Sequence, residues 1–456
     1  MPERTLFTPV QPPRSPTWQP WWRGLYGERM RDILHEMSDP AFDVPHIRTR
    51  FLHLKMHLVS SPEMLGHVLL DNAANYARPA IARKLLRPML GNGLLNAEGD
   101  SWRLQRKLVA PTFSPTAVSR MSALMAQEAE RQCATFPPGP AVVDMAPRAT
   151  DATMRIIANG LFSGDERLLT PEAAIHIERL VQAAGQPRFL RMIGLEGLDW
   201  SPHMIAVRAS RRFLRGTLTA IVDERGPDGG GDDFFGGLIR SLHANMPPAE
   251  ARATAIDNAI TFYVAGHETT AVALAWAIYL AAAQPALQEE LRAEAVAALA
   301  GDVATLPDRL PRLRLFLDET MRLYPPVAQI VREALADDDM CGVPVRKGEI
   351  IVAYPWLVHR HRTLWDNPDA FDIERFAEPN RAALHRFQYL PFGAGPRICV
   401  GARFATVEAL IVLAYWLAAR RFSVPDGPVS VPAGTVTLRP KHGMKLEVEP
   451  LAQTFR

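Results

Sequence analysis

Apolar positions recur with helical spacing over long stretches of the chain and alternate with polar ones only in short stretches. The longest helical pattern follows Met246-Pro247-Pro248 and predicts one helix from Ala249 to Ala283, about 50 Å at roughly 1.5 Å per residue. Helices are also predicted from about Ala117 to Ala134, Ala149 to Leu161, Pro171 to Ala184 and Ser201 to Asp223. An amphipathic helix from Leu313 to Tyr324 is stopped by Pro325-Pro326. From Ala402 onward, Phe404, Val407, Ala409, Leu410, Leu413, Ala414 and Leu417 form one apolar stripe. Trp102 to Val109 reads as a helix capped by Asp100 or Ser101, and Pro62 to Leu70 as a short helix.

Alternation appears at Arg48 to Ser60, read as paired strands, and at Val327 to Leu335. Val345 to Val358 continues the strands, with Lys347-Gly348 as a hairpin turn, and Val424 to Pro450 reads as short strands and turns. Arg78 to Asp100, with Gly91, Gly93 and Gly99, reads as a long loop around a short helix, and such loops are often functional. Gly226 to Asp233 is glycine-rich but acidic, which excludes a phosphate cradle. The sum is a mainly α fold with a small β-rich region. With no repeat and no long linker, residues 1–456 read as a single domain, with 1–45 an N-terminal extension packed on the body.

Composition narrows the classes. A chain 48% hydrophobic and 22% charged is ordinary for a globular protein with a sizeable core. A net charge of +2 gives no case for nucleic-acid binding. Cys133, Cys341 and Cys399 are too far apart for a zinc site or a disulfide framework, so a reducing cytoplasm is the expected compartment. Met1 to Pro20 has neither the charge nor the apolar run of a signal peptide. Trp18, Trp21 and Trp22 are expected to pack onto the body. Val264 to Ala283 is the nearest approach to a membrane span, but His267 and Glu268 inside it argue for a buried core helix.

The chemistry concentrates in two places. Phe392-Gly393-Ala394-Gly395-Pro396-Arg397-Ile398-Cys399-Val400-Gly401 is a turn that delivers one cysteine to a helix start, where free N–H groups and the helix dipole favour a thiolate. A lone cysteine there could be a nucleophile, a metal ligand or an inert core residue. Gly401 leaves room against the backbone and Arg397 supplies a fixed positive charge, which weakens the inert reading. A thiolate between a gap and a cation suits a planar, anionic, metal-bearing cofactor, a description that fits haem with its propionates. The second place is Ala265-Gly266-His267-Glu268-Thr269-Thr270, mid-way along the long helix. Gly there costs about 1 kcal/mol against Ala, and a buried carboxylate without a partner costs more. The threonines can bond back to i−4 carbonyls. Conflicts of this kind tend to mark function.

The spacing Phe-x-x-Gly-x-Arg-x-Cys-x-Gly resembles the haem-ligand loop of the cytochrome P-450 family, and Ala265 to Thr270 resembles its oxygen-activation motif. Trp102/Arg106, Glu319/Arg322 and Phe371 to Phe376 match three further segments in the family's order. The resemblance implies a soluble, bacterial-type haem-thiolate monooxygenase with the cytochrome P-450 fold, its long central helix crossing haem b (iron protoporphyrin IX). Cys399 is then the axial ligand. Trp102, Arg106, Arg332 and Arg397 bind the haem propionates; Phe392, Gly401, Ala265 and Gly266 surround the haem, and Gly266 admits oxygen or substrate to the helix groove. Glu268 and Thr269 deliver protons to dioxygen, while His267, at a variable position, is packing or surface. Glu319, Arg322 and Arg375 form a structural unit, one carboxylate hydrogen-bonded to two arginines. His359-Arg360-His361-Arg362 is structural too.

The implied reaction inserts one atom of O2 into a hydrophobic small molecule as hydroxyl. Electrons come from NAD(P)H through an external ferredoxin- or flavodoxin-type donor with its reductase, and no reductase is fused. Arg103, Lys107 and Arg403 could dock that donor. By family position Ile81, Leu85, Leu86, Phe189, Ala265, Val327, Ala328 and Val436 line the pocket, with Gly434 to Thr437 turning a loop towards the haem. A steroid, terpenoid or fatty acid would suit such a lining. The protein is expected to be a monomer in the cytoplasm, without a membrane span. A peroxide-using or non-oxygenating enzyme of the same fold, or a haem sensor or electron carrier, would not need the Glu268-Thr269 pair. A cysteine nucleophile would need a paired His, and none is placed persuasively.

Overall fold

Pro248–Ala282, 35 residues long, runs through the middle of the molecule as one unbroken helix. In the computed structural model, which describes residues 6–20, 23, 27–29, 32–51, 54–185 and 201–451, the longer helices are α1 (Ala80–Leu90), α2 (Gly99–Val109), α3 (Pro115–Ala134), α4 (Met145–Phe162), α5 (Pro171–Gly185), α6 (Pro202–Arg225), α7 (Phe234–Asn245), α8 (Pro248–Ala282), α9 (Pro285–Leu299), α10 (Pro311–Leu323) and α11 (Ala402–Ala419). Pro248 lies in the first turn of α8, where its missing N–H has no partner to lose. Alanines and large apolar residues surround α8 on every side, so it is buried, with α1, α4, α6, α7, α10 and α11 packed on it. By length and composition α11 is apolar enough to span a membrane, but most of it is buried inside the molecule.

The strands are β1 (His46–Phe51), β2 (Leu54–Val59), β3 (Tyr76–Ala77), β4 (Ala141–Asp144), β5 (Ile330–Ala334), β6 (Asp338–Met340), β7 (Val343–Val345), β8 (Ile350–Ala353), β9 (Arg420–Ser423), β10 (Pro432–Gly434), β11 (Leu438–Pro440) and β12 (Lys445–Pro450). The largest sheet has the order β1-β2-β8-β5-β3. In it β5 pairs antiparallel with both β8 and β3, so Tyr76 lies opposite Ala334. That register sets Arg78, just after β3, beside the strand that carries Arg332. The hairpin β10–β11 turns through 435–437. Its tip is pinned by a bridge between Val327 and Thr437, by the Ala328 N–H donating to the Val436 carbonyl at 3.3 Å, and by the Trp276 indole of α8 donating to the Leu438 carbonyl at 2.8 Å.

Polar residues in the first half of α8 hold the glycine-rich loop after α1. The Asn92 N–H donates to Asp257 Oδ2 at 2.7 Å, and the Leu94 N–H to Asn258 Oδ1 at 2.9 Å. At Gly91 (φ +60°) a Cβ would lie 2.1 Å from the Asp257 carboxyl carbon, so no larger residue fits that contact.

Several local expectations need correction. α2 starts at Gly99, and neither Asp100 nor Ser101 caps it: Glu98 holds the cap position without a side-chain cap bond. Lys347-Gly348 joins no hairpin, because β7 pairs with β6 while β8 lies in the larger sheet. Pro355–Val358 is a helical turn instead of a strand, with proline in its first turn. Trp18 is 52% exposed and does not pack inward, while Trp21 and Trp22 lie outside the described residues.

Candidate active site

The turn before α11 is shaped by two glycines. Gly393 and Gly395 have φ of +72° and +69°, and a Cβ on Gly395 would sit 1.6 Å from the Leu69 carbonyl oxygen. The Cys399 N–H donates to the Phe392 carbonyl at 2.9 Å, which tightens the turn, and Phe392 packs against the core. Burial pushes the Cys399 thiol up, while the Gly401 N–H and the Arg106 guanidinium pull it back part of the way. Without a ligand, burial therefore outweighs the helix start. Cys399 is nevertheless exposed, although enough chain surrounds it for burial to dominate its thiol. Gly401 has φ −88°, and a Cβ there would meet only Phe113 at 3.7 Å. Among the described residues no contact requires glycine at 401.

On α8, Ala265, Gly266 and Thr269 are half-buried within an otherwise buried stretch. The Thr269 hydroxyl donates to the Ala265 carbonyl at 3.0 Å, and that of Thr270 to the Gly266 carbonyl at 3.4 Å. Gly266 is not a free passage. A Cβ there would lie 2.6 Å from Ile157 Cδ1, so its missing side chain makes room for α4. His267 is buried packing: its Nδ1 donates to the Tyr263 carbonyl at 2.8 Å, and burial lowers its pKa.

Glu268 is held by partners far along the chain. Its Oε1 accepts from the Thr437 hydroxyl at 2.8 Å and from Arg439 Nε, and its Oε2 accepts from Arg439 Nη2 at 2.6 Å. Arg439 also lies 3.9 Å from Glu178 on α5. Another buried carboxyl, Glu408 on α11, has neither oxygen in a hydrogen bond of good geometry. Burial holds it well above the carboxylate range, against the pull of the neighbouring Thr270 hydroxyl. It hides within an apolar stripe, which is why pattern reading passes over it.

Around the cysteine turn, arginines gather with little to neutralise them. Burial, and in part each other, holds Arg78, Arg332 and Arg397 down to about 10, so all three stay charged at neutral pH. Arg397 donates to the Ala97 carbonyl at 2.8 Å and to Glu98 Oε2 at 2.5 Å, and it stacks over the Trp102 ring at 4.1 Å. Among the described residues Arg332 donates only to the Val331 carbonyl, and the Arg78 Nε is buried without a hydrogen-bond partner. Burial lowers Arg106, and among the described residues Cys399 is the charge that supports it. Among the described residues Arg78, Arg332 and Arg397 share one carboxylate, Glu98, and Arg83 adds a further cation near Arg397, so positive charge is in excess. A planar group that carries two carboxylates, as haem does, would fit that surplus, with Cys399 supplying a thiolate to its iron. Among the described residues no cluster of three His, Cys, Asp or Glu could hold a metal alone, so an iron at Cys399 would draw its other donors from a macrocycle. Arg78 and Glu98 were not anticipated from the sequence, since neither belongs to a local motif.

Behind the turn, Glu319 and Arg322 are fully buried and bond through both carboxylate oxygens at 2.6 and 2.7 Å. Arg375 Nε forms an ion pair with Glu319 Oε1 at 3.5 Å without a hydrogen bond, and Arg375 donates to the Asn367 carbonyl, so the carboxylate pairs with both arginines but hydrogen-bonds only Arg322 of the two. His359 to Arg362 are structural: Arg360 stacks on Trp356 at 3.4 Å, and His359 accepts the Leu390 N–H at 2.8 Å. Among the expected pocket residues, Ile81, Val327 and Val436 are each about 40% exposed. Leu85 and Leu86 are half-buried. Ala328 is buried and offers the pocket no surface. Phe189 lies outside the described residues.

Comparison with known proteins agrees with this geometry. The family profile described as Cytochrome P450 matches residues 13–448. Cyclooctat-9-en-7-ol 5-monooxygenase of Streptomyces melanosporofaciens is 29% identical over 89% of this chain and 91% of its own. Pentalenene oxygenase of Streptomyces avermitilis is 29% identical over 91% and 92%. Protein LUTEIN DEFICIENT 5, chloroplastic, of Arabidopsis thaliana is 27% identical over 86% and 69%. With a plant relative beside bacterial ones, the bacterial-type qualifier is only partly supported.

Proposed function

The chain belongs to the cytochrome P450 family, haem b monooxygenases, and from that premise we propose that it hydroxylates a hydrophobic small molecule of terpenoid type. Two observations favour such a substrate: the relatives named for cyclooctat-9-en-7-ol and pentalenene, and the apolar side chains of Ile81, Val327 and Val436 at open space. The assignment of the site rests on one observation above all, a single exposed thiol among arginines whose positive charge the described chain does not neutralise.

Cys399 would hold the iron, and Arg78, Arg106, Arg332, Arg397 and Trp102 the propionate edge. When bound, haem supplies the iron and the thiolate-donated electron density that cleavage of O2 requires. The chain's own part is proton supply and positioning. Thr269 spends its hydroxyl proton on the Ala265 carbonyl and keeps lone pairs for an incoming water. Glu268 is a fixed buried carboxylate. Arg439, 28% exposed, must loosen before Glu268 can exchange a proton with solvent. Thr437 and Arg439 follow Val436 on the same hairpin, so one hairpin would both shape the pocket wall and hold the acid.

Electrons from NAD(P)H would arrive through a ferredoxin- or flavodoxin-type donor and its reductase. The exposed Lys107 and Arg403 are the cations offered to it. Arg403 lines a groove of about 350 Å³ with Phe392, Ser119 and Ala402. Arg103 is weaker because it pairs with Asp100 at 2.5 Å. The protein would act as a monomer in the cytoplasm. The test is reconstitution with NAD(P)H, a ferredoxin and its reductase while screening terpenoids. Hydroxylated product that depends on all three supports the proposal; product formed only with peroxide refutes the O2 and electron-donor assignment.

A further inference from the structure

Among the described residues Glu98 is the carboxylate set among the arginines of the candidate haem edge. It precedes α2 at the position where an acidic side chain would ordinarily cap the helix, yet it makes no side-chain cap bond. One oxygen instead accepts from Arg397 Nη2 at 2.5 Å, and the other accepts the Arg78 N–H at 3.2 Å. Arg78, Arg332 and Arg397 come from three separate stretches, and each is stabilised as a cation by Glu98 and opposed by another of the group. Glu98 is mostly buried, with a side chain 20% exposed, so water screens its charge poorly.

We propose that Glu98 is a built-in third carboxylate of the haem edge, which holds part of Arg397 back from the propionates and keeps the iron's reduction potential low. The inference rests on the proposed haem site. A negative charge held near the iron disfavours its reduction, because ferrous haem carries one positive charge fewer than ferric. Neutralising Glu98 removes that penalty and releases Arg397 to a propionate, which has two consequences. The ferric/ferrous potential rises, and haem leaves more slowly.

The experiment compares the wild-type holoprotein with Glu98→Gln and Glu98→Asp by spectroelectrochemistry and by haem transfer to an excess of apomyoglobin. The expected result for Glu98→Gln is a positive shift in potential and several-fold slower haem loss, at an unchanged thiolate-type carbon monoxide spectrum. Glu98→Asp keeps the charge and should stay close to the wild-type potential. A Glu98→Gln potential equal to wild type, with the spectrum intact, overturns the proposal and leaves Glu98 a tether between loops. A negative shift overturns it equally. If the wild type itself shows no thiolate-type spectrum, the haem site fails first and the inference with it.

Discussion

Glu268 is the residue where motif and contacts pull apart. Its place before Thr269 suggests a proton donor. Its bonds to Thr437 and Arg439 describe a buried ion pair that also anchors the C-terminal hairpin. Both roles are testable together. Glu268→Gln keeps the shape and removes the acid, so turnover should fall by ~10²-fold with substrate binding little changed. Arg439→Gln leaves the carboxylate buried with Thr437 alone and should lower stability by about 2–3 kcal/mol, read from the urea midpoint. Equal, small effects of both on turnover and stability would argue against the pairing. Arg439 is 171 residues from Glu268, and no local pattern ties it to the acid. Arg78 and Glu98 escaped notice for the same reason: a sheet register and a loop bring them together. Cys399, Arg397 and Arg332 were legible because they carry a motif or a family position.

At the level of elements, long helices were the most legible feature. α8 spans Pro248–Ala282 against an expectation of Ala249 to Ala283, since a long apolar run without breakers is a local signal and prolines stand at its start and just past its end. What the helix does with its glycine was less legible, because that depends on a neighbour. Gly266 accommodates Ile157 of α4 at 2.6 Å from a would-be Cβ. Gly266→Ala should therefore cost about 1–3 kcal/mol by overpacking, seen as a lower Tm. Ile157→Val removes the clashing Cδ1 and should restore most of the loss in the double variant. Were Gly266 conserving space for oxygen instead, the second substitution would rescue neither stability nor turnover. The short strands were read less well: Lys347-Gly348 links two sheets, and Pro355–Val358 turns helical, as strand partners are chosen by tertiary packing.

Across the whole molecule, buried titratable groups set how it meets acid. His359 accepts the Leu390 N–H and its other ring nitrogen donates to the Arg322 carbonyl, so it is held neutral. Burial first, then the Arg322 charge, bring it down to about 3. The unfolded state, with an ordinary His near 6.5, takes up the proton first. The stability due to His359 is thus full above pH ~6.5 and is lost as pH falls towards 3, by up to about 1.4 kcal/mol per pH unit. His267, lowered by burial, adds in the same direction. The urea midpoint should therefore decline between pH 6.5 and 4.5, and a flat profile there would contradict neutral buried histidines.

The fold, the arginine cluster and the cysteine turn converge on one claim, that Cys399 ligates haem iron as a thiolate. The difference spectrum of the reduced protein with carbon monoxide tests it most directly. Wild type should show the long-wavelength Soret band of thiolate-bound haem, and Cys399→His should bind haem without that band. A wild-type protein that takes up haem yet lacks the band, or a band that persists in Cys399→His, would contradict the claim.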